Sequence, residues 1–168
     1  MGSQRPDFAE FYREVKDECL FAVVVSVGDR DTAQDLVAEA FARAWASWPT
    51  VSAHPAPAAW VVRTALNAGV SRWRRRRREV PVADLAIVAD RPAGDAAGGG
   101  LDPRIMAALA RLPERQRQVV ALRLFLDLDT ERTARMLGVA PGTVQAHLGR
   151  AMASLRSELI PIWQEESR

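Results

Sequence analysis

From Ala33 to Trp48 the apolar residues recur at helical spacing without a break: Ala33, Leu36, Val37, Ala40, Phe41, Ala44, Trp45 and Trp48. Steps of three and four place them on one stripe of a helix, and such a stripe has to be covered by neighbouring elements. Asp35, Glu39 and Arg43 follow four apart on another face. Asp31 is the expected cap, because its carboxylate can accept from the free N–H groups of the first turn. Pro49 is the expected stop. Three prolines between Pro49 and Pro57 predict a loop.

The flanking segments read the same way. Phe8, Phe11, Tyr12, Val15, Cys19 and Val23 fall at helical spacing after a Pro6-Asp7 start. Phe21 to Val27 is β-prone, yet it lies on the same periodicity. A third helix is expected from about Ala58 to Arg78, with Val61, Val62, Ala65, Leu66, Gly69, Val70 and Trp73 as its inner stripe. No strand signal of useful length interrupts this pattern, so the expected class is all-α.

Residues 79–101 change character. Pro81, Pro92, Gly94 and the run Gly98 to Gly100 sit among alanines and aspartates, the composition of a flexible acidic linker. It divides the 168-residue chain into two small helical domains, 1–78 and 102–168. The second opens on Asp102-Pro103, a cap followed by proline at the first helical position. A helix to Arg111 follows, then one started by Leu112-Pro113-Glu114. A third runs from Thr130 to Leu137 behind Asp129, and a fourth from Pro141 to about Leu159.

Residues 129–150 have the pattern of a helix-turn-helix. Ala134 is small where two steeply crossed helices approach, Gly138 can take the positive φ that ends the first, and Val139, Val144 and Leu148 close the small core. Pro141, Gly142, Thr143, Gln145, Ala146, His147 and Arg150 are then left at or near the exposed start of the second helix, which can enter a major groove. An ordinary helical hairpin would show much the same spacing.

Charge separates the segments further. Residues 1–71 carry six basic and nine acidic side chains, whereas residues 72–78 carry six arginines and no acid. Residues 79–102 are acidic again and 103–168 are net basic, so the overall +2 hides the segregation. Six adjacent guanidinium groups repel one another and are relieved by phosphates, whose counterions are released. A solvated helix C-terminus accounts for one or two of them.

Several classes are excluded. With Cys19 as the single cysteine and only His54 and His147 as histidines, neither a disulfide framework nor a His/Cys metal site is expected. Cys19 to Val27 is far short of the roughly 20 apolar residues needed to cross a bilayer, and Met1 to Asp7 has no apolar signal core. A cytoplasmic protein without membrane insertion is expected. No phosphate-cradling glycine motif and no supported Ser/His/Asp set is present. Asp127, Asp129 and Glu131 are acidic neighbours, but Asp129 is accounted for as a cap. An enzyme is therefore not expected, and no cofactor is implied.

Taken in order, five segments resemble one family. They are DTAQDLVAEAFARAW (31–45), AWVVRTALN (59–67), RWRRRRR (72–78), ALARLPERQRQVVALR (108–123) and ARMLGVAPGTVQ (134–145). The chain resembles a bacterial RNA polymerase sigma factor of the extracytoplasmic-function (ECF) group over about residues 8–160. The resemblance implies a factor that binds core RNA polymerase at its β′ clamp and β flap and directs it to promoter DNA. It implies that Asp35, Leu36, Glu39 and Arg43 face the clamp. It implies that the 49–57 loop and the following helix read the minus-ten element, with His54, Trp60, Arg63, Asn67, Arg72, Arg74, Arg75, Arg76 and Arg77 as candidates. It implies that the helix-turn-helix reads the minus-thirty-five element. An anti-sigma protein is a common further partner in that group. Gln145, Ala146 and His147 depart from the family, whose members often carry basic and hydroxyl residues there. A stand-alone helix-turn-helix regulator is the other reading, and it would need neither the Asp35/Glu39 helix nor the arginine run.

Overall fold

The computed structural model describes residues 4–79 and 102–166; Glu79 belongs to the helix before it, and the rest of the expected linker lies outside the described residues. The first domain consists of α1 (Gln4–Val27), α2 (Arg30–Ala46), the short α3 (Trp48–Ser52) and α4 (Pro57–Glu79). The second consists of α5 (Pro103–Arg111), α6 (Glu114–Val120), α7 (Thr130–Leu137) and α8 (Pro141–Glu166). No strand occurs among the described residues.

α2 keeps its expected stripe. Ala33, Leu36, Val37, Ala40, Phe41 and Ala44 are all buried. Its cap is Asp29, however, and not Asp31. Asp29 has extended backbone and accepts from Thr32 N at 2.9 Å, which leaves Asp31 in the first turn. The helix ends before Pro49, at Ser47, whose N–H bonds back to Arg43 O. Pro49 instead opens α3, because a first-turn proline lacks only an N–H that would have no partner there. The loop thus shortens to residues 53–56.

α2 and α4 approach closely where Gly69 faces Leu36. A Cβ at position 69 would stand 3.1 Å from Leu36 Cδ1, so a side chain there would force that fully buried leucine to move. Val61, Val62, Ala65 and Leu66 are buried as expected. Val70 is 38 % exposed, and Ala68 is buried in its place. Cys19 lies under α4, where its thiol donates to Ala58 O at 3.7 Å; burial and the charge of Glu18 push it up to about 12. The aromatic end of α1 closes the other side. Phe8 meets Trp45 and Trp48 edge-on, with centroids 5.0 and 5.2 Å apart, and Tyr12 meets Phe41 at 4.9 Å. Trp45 itself stays 44 % exposed, against its place in the expected stripe.

In the second domain Asp102 caps α5, accepting from Arg104 N at 2.8 Å. The Arg104 guanidinium, hydrogen-bonded to it, and then that backbone bond hold its carboxyl down at about 2. α6 runs into a π-helical turn over Ala121–Phe125, closed by Leu126 N donating to Ala121 O at 3.2 Å. Asp129 caps α7 through Arg132 N at 2.7 Å, and Gly138 ends it with φ of 65°. Ala134 and Val144 pack with Val119 of α6, and Leu137, Val139 and Leu148 lie against them. α8 passes its expected end at Leu159 and continues through Pro161 to Glu166.

The two domains, which a flexible linker was expected to separate, are in contact. α1 packs on α6 and on the π turn as well as on α2 and α4. Phe21 of α1 and Phe125 of the π turn meet at 4.6 Å and 81°. Arg117 of α6 donates from Nε to Ser26 O at 3.2 Å, and from Nη1 to Ala110 O and Leu112 O at 3.1 and 2.8 Å. One guanidinium thereby covers the carbonyl ends of α1 and α5, where the helix dipoles are negative.

Candidate polymerase and nucleic-acid interfaces

The outer face of α2 carries Asp35, Glu39 and Arg43, but Leu36 is fully buried. Leu36 therefore cannot face a partner, contrary to its expected role. Its place in the apolar stripe of α2 and its packing on Gly69 make it core. Glu39 is doubly engaged. Oε1 accepts from Arg43 Nη2 at 2.6 Å on the same helix, and Oε2 accepts from Arg72 Nη2 at 2.7 Å across on α4.

Around the corner from that face lies a cleft of about 390 Å³, lined by Arg43, Ala46, Ser47, Trp60, Thr64 and Asn67. Its two walls follow from helix geometry. Trp60, Thr64 and Asn67 are spaced four and three apart and share a face of α4; Arg43 and Ser47 are four apart on the end of α2. Trp60 is half-buried and offers an aromatic surface, and Asn67 is exposed with both donor and acceptor. Thr64 Oγ1 donates to Trp60 O at 2.8 Å, so its oxygen faces other groups only as an acceptor.

Of the residues expected on this side, Trp60 and Asn67 are brought together in the cleft and Arg63 is not; it is exposed elsewhere on α4. His54 is also outside it. Its Nδ1 accepts from Ala56 N at 3.0 Å and shapes the entry into α4. Arg72 is paired with Glu39, and Arg75 is exposed. The side chains of Arg74, Arg76 and Arg77 lie outside the described residues. Ser47, Thr64 and the placement of Arg43 were not expected, although Thr64 stands in register between Trp60 and Asn67 and its spacing could have shown it.

The third surface is the start of α8. Val144 is 1 % exposed and anchors the helix, while Gly142, Thr143, Gln145, Ala146 and Arg150 are exposed. Pro141 and His147 are half-buried, and His147 Nδ1 is buried without a hydrogen-bond partner. No cluster of His, Cys, Asp or Glu that could hold a metal ion occurs among the described residues. None of their helices is long and apolar enough to cross a membrane.

Residues 11–79 match the family model for sigma-70 region 2, and residues 103–155 match that for sigma-70 region 4. The chain is 36 % identical over 156 residues to an RNA polymerase sigma-E factor of Streptomyces coelicolor, covering 92 % of this chain and 86 % of that one. It belongs to the ECF sigma factors. An ECF RNA polymerase sigma factor SigL of Mycobacterium tuberculosis is 32 % identical over 79 % of this chain and 77 % of its own length. Among solved structures, the sigma factor RpoE of Bartonella quintana, crystallised with the anti-sigma factor NepR, superposes with a TM-score of 0.74. That match has 28 % identity and covers 91 % of this chain and 96 % of that one. The protein is thus a non-enzymatic initiation factor that binds core RNA polymerase and directs it to promoters through their minus-ten and minus-thirty-five elements. The α1–α4 domain is the region-2 part of this sigma factor, and the α5–α8 domain is its region-4 part.

Proposed function

We propose that this sigma factor works in the cytoplasm, docks on the β′ clamp through Asp35 and Glu39 of α2, and takes one unstacked base of the non-template strand into the cleft beside them. The single observation behind this reading is that the cleft opens directly next to that acidic face, with Arg43 belonging to both. Trp60 would stack on the base and Asn67 would pair with its edge, while Arg63 and the arginine run hold the backbone. The start of α8 would read the minus-thirty-five element, with the region-4 domain resting on the β flap. A common superposition across both domains with a sigma factor held by its anti-sigma factor supports a similar inhibitory partner here.

Reconstitution with core polymerase on a genomic fragment library tests this, with start sites as the readout. Start sites unchanged by the protein would overturn it. Asp35→Ala with Glu39→Ala should weaken core binding at least about tenfold and leave helix content unchanged by circular dichroism; unaltered core affinity removes the docking assignment. Replacing Arg75, Arg76 and Arg77 with Ala should weaken promoter binding by the holoenzyme. It should also flatten the logarithmic salt slope by up to about 3, since each lost phosphate contact removes about 0.9. An unaltered slope would make the run a solvated helix end.

A further inference from the structure

The Glu39 carboxylate has a cation on each oxygen, and the two cations belong to different parts of the binding surface. Arg43 lines the cleft, and Arg72 begins the arginine run. All three side chains are partly exposed, with Glu39 at 32 %, Arg43 at 57 % and Arg72 at 42 %. Such pairs contribute little to stability, so their main consequence is where the guanidinium groups point and how much of their charge is neutralised. Among the cleft-lining residues Arg43 is the cation, and a planar fork of donors suits a phosphate.

We propose that Arg43 contacts the phosphate of the nucleotide seated in the cleft, and that Glu39 withholds Arg43 and Arg72 from nucleic acid in the free chain. This rests on the reading of the cleft as a single-strand site and of Glu39 as a docking carboxylate. A cationic side chain of the polymerase that takes Glu39 has to displace one or both arginines. Their freed charge then stands at the cleft mouth, 29 positions apart in sequence but joined through one carboxylate. Docking and strand capture are thereby linked by exchange of ion-pair partners, and free chain binds single strands more weakly than its arginine content allows.

The test uses the full chain without polymerase and a fluorescent 12-nucleotide single-stranded DNA of random sequence. Glu39→Gln should tighten binding roughly three- to fivefold, the size of one surface charge pair. It should also steepen the salt slope, by about 0.7 for each released cation. Arg43→Ala in the Glu39→Gln background should remove most of that gain, and this non-additivity marks coupling. Asp35→Asn makes the same charge change one turn away and controls for net charge. If it tightens binding as much as Glu39→Gln, or if Glu39→Gln weakens binding, the proposal is wrong. Asn67→Ala separates the two layers. Binding unaffected by Asn67→Ala removes the cleft reading itself; binding weakened by Asn67→Ala but unmoved by Glu39→Gln removes only the withholding role.

Discussion

Phe125→Ala should open the sigma factor, raising its radius of gyration in small-angle scattering while both domains stay helical. Phe125 closes the π turn at the end of α6, and its ring meets Phe21 of α1 edge-on at 4.6 Å. Truncating a half-buried aromatic at such a contact costs about 2 kcal/mol, less than the 3–5 of a full core position, and about 1.4 kcal/mol shifts an equilibrium tenfold. Arg117→Met should act in the same direction. Burial lowers the pKa of this guanidinium, which Glu114 partly offsets, and its removal leaves three carbonyls at two helix ends without their donor. Arg117 also serves its own domain, so Phe125→Ala is the cleaner variant. Limited proteolysis in residues 80–101 gives a second readout. The wild-type halves should stay together on a sizing column after cleavage, and the Phe125→Ala halves should separate.

Opening matters because of scale. Two promoter elements centred 25 positions apart lie about 85 Å apart along B-form DNA. α1, the scaffold both domains share, is only about 36 Å long at 1.5 Å per residue. Domains in contact through α1 therefore cannot occupy both elements at once. The 22 residues of 80–101 reach roughly 75 Å when extended, enough for the domains to part. If Phe125→Ala leaves the scattering profile unchanged, the interface is held by something other than this wedge.

α2 and α7 were legible in the sequence because one face is apolar, one is polar, and a capping residue marks the start. Asp31 was the expected cap; Asp29, the same residue type two positions earlier, takes the role, and only the backbone decides between them. The domain contact left a sign that periodicity alone does not weigh. Cys19 and every residue from Ala22 to Ser26 are buried, so this end of α1 has no solvent face. A helix apolar all round needs cover on all sides, and α2 with α4 supply only part of it. The π turn and the path of α8 through the exposed Pro161 depend on tertiary packing and solvent exposure that no local pattern encodes. In the cleft, Trp60 and Asn67 were found from family resemblance. Arg43 was expected on the docking face from the same resemblance. Its second role depends on how closely α2 crosses α4 at Gly69.

On the recognition helix, Gln145→Ala should relax base preference at one position of the upstream element, and Arg150→Ala should weaken all sequences about equally. Val144 and Leu148 face the small core with Ala134 and Val119, which fixes the rotation of α8. Gln145 and Ala146 are then turned outward in its first two turns, whereas His147 is half-buried. Gln145 can make paired hydrogen bonds to adenine in the major groove, about 1–3 kcal/mol of discrimination, or roughly 5- to 150-fold. Arg150 is exposed a turn further on, where a helix seated in the groove would leave it and meet backbone, so its loss should remove affinity without sequence information. The measurement is selection from a randomised duplex pool by the full chain with core polymerase, for wild type and both variants. Two results would reject this placement of α8: a changed preference from Arg150→Ala, or an unchanged one from Gln145→Ala. A changed preference from His147→Ala alone would mean the helix turns by one position in the groove, which the buried Val144 does not permit without disrupting the domain's core.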